Sequence, residues 1–233
     1  MMRLKWIGTG CFAAVLSLVA TAGWSAPQEQ SNQPYPSAEF STYQTARNEQ
    51  HPPKKLALLD AFLAEHPDSV LVTAAFREYA GTYLIVGNSR KSIEYIDKFL
   101  AQLDKIDPGM LPEGLFGRAQ RLDGLYMRAR GYLEGGCSDS AFQTPDAYRQ
   151  ARDAATEGLR LLGDWNERPR NMKDYEFAFL KNQAGVRFNA AARIAESGLE
   201  GADPVNLCKA PGTNFDHIVN DIKAEERESP QVR

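Results

Sequence analysis

Apolar residues recur along this chain at intervals of three and four, the spacing that gathers side chains on one face of an α-helix. Leu56, Leu59, Phe62 and Leu63 form one such stripe between Pro52-Pro53 and Pro67, residues that a helix interior rejects. A weaker segment from Ser37 must stop before the same proline pair. Phe76, Tyr79 and Tyr83 mark a third helix over about 69–86, and Gly87-Asn88 supplies the left-handed turn that ends it. Ile93, Ile96, Leu100 and Leu103 mark a fourth, which stops near Asp107-Pro108-Gly109. The fifth carries Leu115, Ala119, Leu122, Tyr126, Ala129 and Leu133, and Gly135-Gly136 is expected to close it. At Thr144-Pro145-Asp146 a sixth begins, since threonine caps, proline suits the first turn and aspartate suits the positive end of the helix dipole. Its stripe is Tyr148, Ala151, Ala155, Leu159 and Leu162. The seventh, over about 171–198, carries Phe177, Leu180, Ala184, Phe188, Ala191 and Ala195, and its alanines and Gly185 predict close helix contact. An eighth, over about 214–227, presents Phe215, Ile218, Val219 and Ile222.

No segment alternates in the manner of a strand, so the predicted class is all-α. Eight amphipathic helices can form a compact bundle or a row of hairpins, and an internal echo decides between them. The stretch KKLALLDAFLA at 54–64 returns thirty-seven residues later as KSIEYIDKFLA at 91–101, with Lys, Asp, Phe, Leu and Ala in the same places. Leu56 and Leu59 become Ile93 and Ile96. A period of this length, covering one helix pair, predicts a solenoid in which each hairpin hides its apolar face only against its neighbours.

The segment AFREYAGTYLIVGNSRKSIEYIDKFLA resembles a tetratricopeptide repeat: bulky Phe76 and Tyr79, small Ala80, aromatic Tyr83, the Gly87-Asn88 turn, small Ser92 and an apolar face from Ile93 to Leu100. Small residues at Ala80 and Ser92 let two helices approach while the aromatics fill the space between them. FLAEHPDS is similar to the joints between hairpins in periplasmic envelope-assembly proteins of bacteria. The likeness covers about 39–108. It implies a right-handed α-α superhelix of about four hairpins whose concave face is lined by the first helix of each pair. On that face the resemblance places Arg77, Gly81 and Leu84, joined by Tyr126 and Arg130, and two arginines beside an aromatic suit a carboxylate-bearing peptide. Against the pattern stand the long connection GGCSDSAFQ, the long seventh helix and the loop LEGADPVNLCKAPGT, so the C-terminal half is repeat-like rather than a repeat.

The N-terminus changes the picture of location. Arg3 and Lys5 precede an uncharged apolar run from about Trp6 to Ala22, followed by small residues at Ala20-Thr21-Ala22 and Gly23-Trp24-Ser25. These are the three parts of a secretory signal peptide, expected over 1–25. The alternative, an uncleaved anchor, meets the objection that the run falls short of the roughly 20 residues a spanning helix needs. A Gln-, Ser- and Pro-rich leader follows over 26–37, then the helical domain over 38–228 and a short tail over 229–233. The whole chain is 43% hydrophobic and 24% charged, an ordinary globular composition. With 27 basic residues, two of them in the signal, against 30 acidic ones, nucleic acid is not an expected partner. No Asn-x-Ser/Thr acceptor occurs, which fits a bacterial periplasm or secretion from a bacterium.

Past the signal only Cys137 and Cys208 remain, and an even pair in an oxidising compartment reads as one disulfide, with two free thiols as the alternative. In a row of hairpins the first helices run parallel, so Cys137 after the fifth helix and Cys208 after the seventh would share an edge. Such a bridge would close a loop of about 70 residues, a constraint of roughly 2–5 kcal/mol. His51, His66 and His217 are scattered, Glu225-Glu226 belongs on a solvated face, and GxSxG, P-loop, GxGxxG and HExxH are all lacking. The expectation is a non-enzyme with no cofactor and no metal, whose partner is another protein or peptide of the cell envelope. A secreted hydrolase or thiol-redox factor with an unrecognised site is the alternative.

Overall fold

The computed structural model describes residues 35–105, 117–169 and 172–201. Among them every regular element is helical: α1 Ser37–Asn48, α2 Pro52–Glu65, α3 Leu71–Ile85, α4 Ser89–Leu103, α5 Arg118–Ser138, α6 Pro145–Gly163 and α7 Asp174–Leu199. A short 3-10 turn, Ser140–Phe142, precedes α6. No described helix is long and apolar enough to cross a membrane. The expected signal peptide, most of the leader, the eighth helix, the tail and Cys208 lie outside the described residues, as does the side chain of Cys137, so the proposed disulfide does too.

At α2, α4 and α6 local chemistry starts the helix where the chain pattern placed it. Pro52 and Pro53 sit in the first turn of α2, where a missing N–H costs nothing. Gly87 takes a φ of 74°, and Asn88 then caps α4, its side-chain oxygen accepting from Lys91 N at 3.1 Å. Thr144 accepts from Ala147 N at 3.2 Å ahead of Pro145.

Each helix packs on the next, and in addition α1 touches α3, α3 touches α5, and α5 touches α7. That second series of contacts is what distinguishes hairpins laid side by side from a closed bundle. Three full hairpins and the first helix of a fourth are therefore described. The repeated positions share one environment: Leu59 and Ile96 are fully buried, and so are Phe62 and Phe99.

Within the α3–α4 hairpin, Ser92 Oγ donates to Ala80 O at 2.9 Å, and neither residue reaches solvent. Tyr79 stacks on Tyr95 at 4.3 Å between ring centres, and its hydroxyl donates to Asp60 of α2, so one side chain ties three helices together. Packing rather than the hydrogen bond is what Ser92 contributes most. Ser92→Leu is expected to lower the urea-unfolding free energy by about 1–3 kcal/mol through overpacking. Ser92→Ala should cost at most about 1 kcal/mol, and equal losses from the two variants would refute the close-packing account.

Three sequence expectations need correction. Gly135-Gly136 does not close the fifth helix, which runs on to Ser138. Gly135 is instead the seat of the Phe142 ring, which a Cβ would meet at 2.7 Å. Gly185 is no contact point, since a Cβ there meets nothing within 4 Å. Close approach is made at Gly124, where Leu100 and Phe99 lie 2.8 and 2.9 Å from a built Cβ, at Gly198 against Tyr148, and at Gly158 against Phe188. The seventh helix starts at Asp174, its first turn closed by Glu176, which accepts from Lys173 N at 2.8 Å.

Candidate functional site

Because the first helices of successive pairs touch one another, α3, α5 and α7 form one continuous face. Two recesses lie on it and share Asp123, Tyr126 and Arg187. The smaller, about 270 Å³, brings together all five residues expected there: Arg77, Gly81 and Leu84 from α3, Tyr126 and Arg130 from α5. Ile85, 78% exposed, adds an apolar rim.

The electrostatics of this recess differ from the pattern expected of it. Arg77 Nε donates to Asp123 Oδ2 at 2.5 Å and a second nitrogen reaches Glu78 at 3.2 Å. Burial works against the charge on Arg77, but Asp123, by charge and hydrogen bond, and then Glu78 outweigh it and hold the guanidinium above its ordinary pKa. Arg130 donates to Glu134 at 2.6 Å. Lys55 meets Glu78 at 2.5 Å, so the charges form a ladder joining α2, α3 and α5. Both arginines already face carboxylates of their own chain, and a guest carboxylate would have to compete with them. Leu84 and Tyr126 are largely buried and form the floor rather than a projecting surface.

The larger recess, about 830 Å³, is the groove between the N-terminal halves of α5 and α7. Leu122, Tyr126, Leu180 and Phe188 build its floor, and Tyr175 and Phe179 stand on its edge at 66% and 64% exposure. Tyr126 meets Phe188 edge-on at 6.1 Å, which fixes the floor where the two helices cross. Arg187 lies over the Tyr126 ring, its Cζ 5.4 Å from the centroid, with no carboxylate in ion-pair reach among the described residues. The polar remainder of the rim includes Asp123, Glu176 and Gln183.

Sequence reading did not single out Arg187, Tyr175 or Phe179. The signal was present in YEFAF: Phe177 belongs to the stripe that packs on the core, so Tyr175 and Phe179, each two positions from it and four from each other, form a second stripe on another face. Nothing in such a stripe says that its face looks onto α5, which only the fold supplies.

No group of three His, Cys, Asp or Glu side chains could hold a metal among the described residues. His66 lies beside Glu65 at 3.9 Å and packs on Phe62, and His217 falls outside the described residues. The site therefore offers shape, apolar area and one uncommitted cation. No protein-family model, curated protein or solved structure matches the chain.

Proposed function

We propose that the protein is an exported scaffold of tetratricopeptide type that binds a segment of another envelope protein along the face formed by α3, α5 and α7. The observation that carries this reading is the groove beside α7, where two aromatic side chains stay in water next to a preformed apolar floor. Large exposed aromatics at a concave site are the residue types that supply most interface energy when buried. A helix presenting apolar residues on one face fits a groove bounded by two helices. Export is supported by the basic, apolar and small-residue order of the first twenty-five positions. The role is one of binding, without catalysis, cofactor or metal.

Capture from envelope extracts tests the reading. Phe179→Asp should reduce recovery of bound protein at least tenfold, since burying the ring is worth about 1.5–3 kcal/mol and a charge in its place resists burial. Arg77→Glu and Arg130→Glu should have smaller effects, because those arginines serve their own carboxylates. Undiminished recovery with Phe179→Asp would remove the groove from the function.

A further inference from the structure

The groove carries opposite charges at its two ends. Glu176 and Arg187 both line it. The Glu176 carboxylate accepts from Lys173 N at 2.8 Å and from the Tyr175 hydroxyl at 3.2 Å, while Arg187 lies over the Tyr126 ring. Neither charge has an opposite one in ion-pair reach among the described residues. Eleven residues are almost three whole helical turns, so the two stand on one flank of α7, about 16 Å apart. Leu180 lies between them on the floor, and the exposed Tyr175 and Phe179 stand at the edge.

We propose that two copies of this chain pair through this groove about a twofold axis, with their α7 helices antiparallel and with α5 and α7 of each copy forming a four-helix core. The inference goes beyond the reading of the face as a docking site for another envelope protein. A single copy offers the groove to such a protein, and a paired copy does not.

Charge selects the occupant. Whatever fills the groove must bring a cation to Glu176 and an anion to Arg187, with apolar area between them. Read from its C-terminal end, α7 has that order itself. In a twofold pair one match generates the other, so Glu176 of each copy meets Arg187 of the second copy. A parallel pair would set Glu176 against Glu176 and Arg187 against Arg187, like against like. A simple anionic amphiphile would satisfy Arg187 and leave Glu176 facing its apolar tail.

The same register sets the exposed rings to use. With residue 176 level with 187, residue 175 comes level with 188 and 179 with 184. Tyr175 and Phe179 of each copy therefore reach the Arg187 end of the other copy's groove. An enclosed aromatic side chain buries about 150–250 Å², and about two thirds of each of these is in water, so the four rings of a pair contribute roughly 400–650 Å². A stable interface needs about 1,200 Å² or more in total, so the groove walls supply the remainder. Such a pair sits at the small end of stable interfaces and forms with rising concentration.

The test uses the protein as purified, with its own N-terminus and processing. Sedimentation equilibrium between about 1 and 500 μM should show monomer and dimer with a dissociation constant on the order of 10 μM. Phe179→Asp should weaken the pair at least tenfold. Arg187→Glu sets like charges together at both ends and should weaken it about tenfold. Adding Glu176→Arg should restore it, because the antiparallel register alone then has opposite charges at both ends again. Far-UV circular dichroism of each variant checks that the helices are kept. Independently, a benzophenone amino acid at position 179, in a mixture of isotope-labelled and unlabelled chains, should join to a chain of the other label. The product should map to residues 182–187, the fragment that trypsin frees by cutting after Lys181 and Arg187. Protein that stays monomeric at about 500 μM would overturn the proposal, as would a dimer indifferent to Arg187→Glu, or products on 174–181 of the second chain, which a parallel pair requires. Envelope capture separates this proposal from the functional reading. A dimer that behaves as stated, with recovery that Phe179→Asp leaves unchanged, keeps the pair and removes the other envelope protein from the groove. A monomer whose recovery falls with Phe179→Asp does the reverse.

Discussion

Replacing Phe188 by alanine is expected to lower the unfolding free energy by about 3–5 kcal/mol, the range for deleting a buried phenylalanine ring. Phe188 is 1% exposed and lies where α5, α6 and α7 meet, edge-on to Tyr126 and directly over Gly158. The glycine is what admits the ring, because a Cβ on residue 158 would fall inside contact distance of three ring carbons. Gly158→Leu should then be severe by itself, about 1–3 kcal/mol or more, since the new side chain would occupy the space the Phe188 ring already fills. The decisive measurement is the double variant. Leucine at 158 projects into the volume that Phe188→Ala vacates, so the two losses should fall short of additivity by about 1–3 kcal/mol. Urea-unfolding curves of the four proteins give this coupling directly, provided their slopes agree. Strict additivity would mean that α6 and α7 do not meet through this pair, and the close packing of the C-terminal half would be wrong.

The pair also shows which parts of the fold could be read from the chain. Helix positions follow from local rules, and local rules are visible: Gly87 with its positive φ, Thr144 capping Ala147, and the burial of Leu59 with Ile96 and of Phe62 with Phe99 all stand where periodicity put them. A glycine inside a helix is ambiguous, because the residue that needs its space is distant in sequence. Gly185 attracts notice among alanines yet faces open space, whereas Gly158 and Gly198 receive rings from thirty and fifty residues away. Gly135 resembles a helix terminator until Phe142 is seen folded back upon it. The site follows the same division. Periodicity and the repeat likeness brought Arg77, Gly81, Leu84, Tyr126 and Arg130 to one recess. They could not reveal that Asp123, forty-six residues from Arg77, occupies that arginine, nor that the second stripe of α7 borders an apolar groove. Both depend on the angle at which neighbouring hairpins meet, and no single helix encodes that angle.

Raising the pH above about 10 should destabilise the core that joins α1, α2 and α3. Tyr43 is nearly buried; burial first, and then the charge of Glu78, push its hydroxyl up to about 12, against the smaller opposing effects of Arg47 and Arg77. Tyr79 is pushed further in the same direction by burial, by the hydrogen bond it donates to Asp60 and by that carboxylate's charge. In the unfolded chain a tyrosine ionises near pH 10. Below that pH both states hold the proton and stability does not change. Above it the unfolded state releases a proton that the folded state retains, so stability falls by about 1.4 kcal/mol per pH unit for each such tyrosine until its folded pKa is passed. Tyr43 alone then removes about 2 kcal/mol by pH 12, and Tyr79 adds a comparable slope. Lysines lose their charge over the same range, so the tyrosine share is the part of the slope that Tyr43→Phe and Tyr79→Phe abolish. Tyr79→Phe should also cost about 1 kcal/mol at neutral pH for the hydrogen bond to Asp60, whereas Tyr43→Phe should be close to neutral there. Unfolding free energies at several pH values between about 9 and 11, with tyrosinate absorbance recorded on the native protein, measure both. If all nine tyrosines of the chain ionised together near pH 10 while the protein stayed folded, the core joining α1, α2 and α3 could not be as tightly closed as its geometry requires.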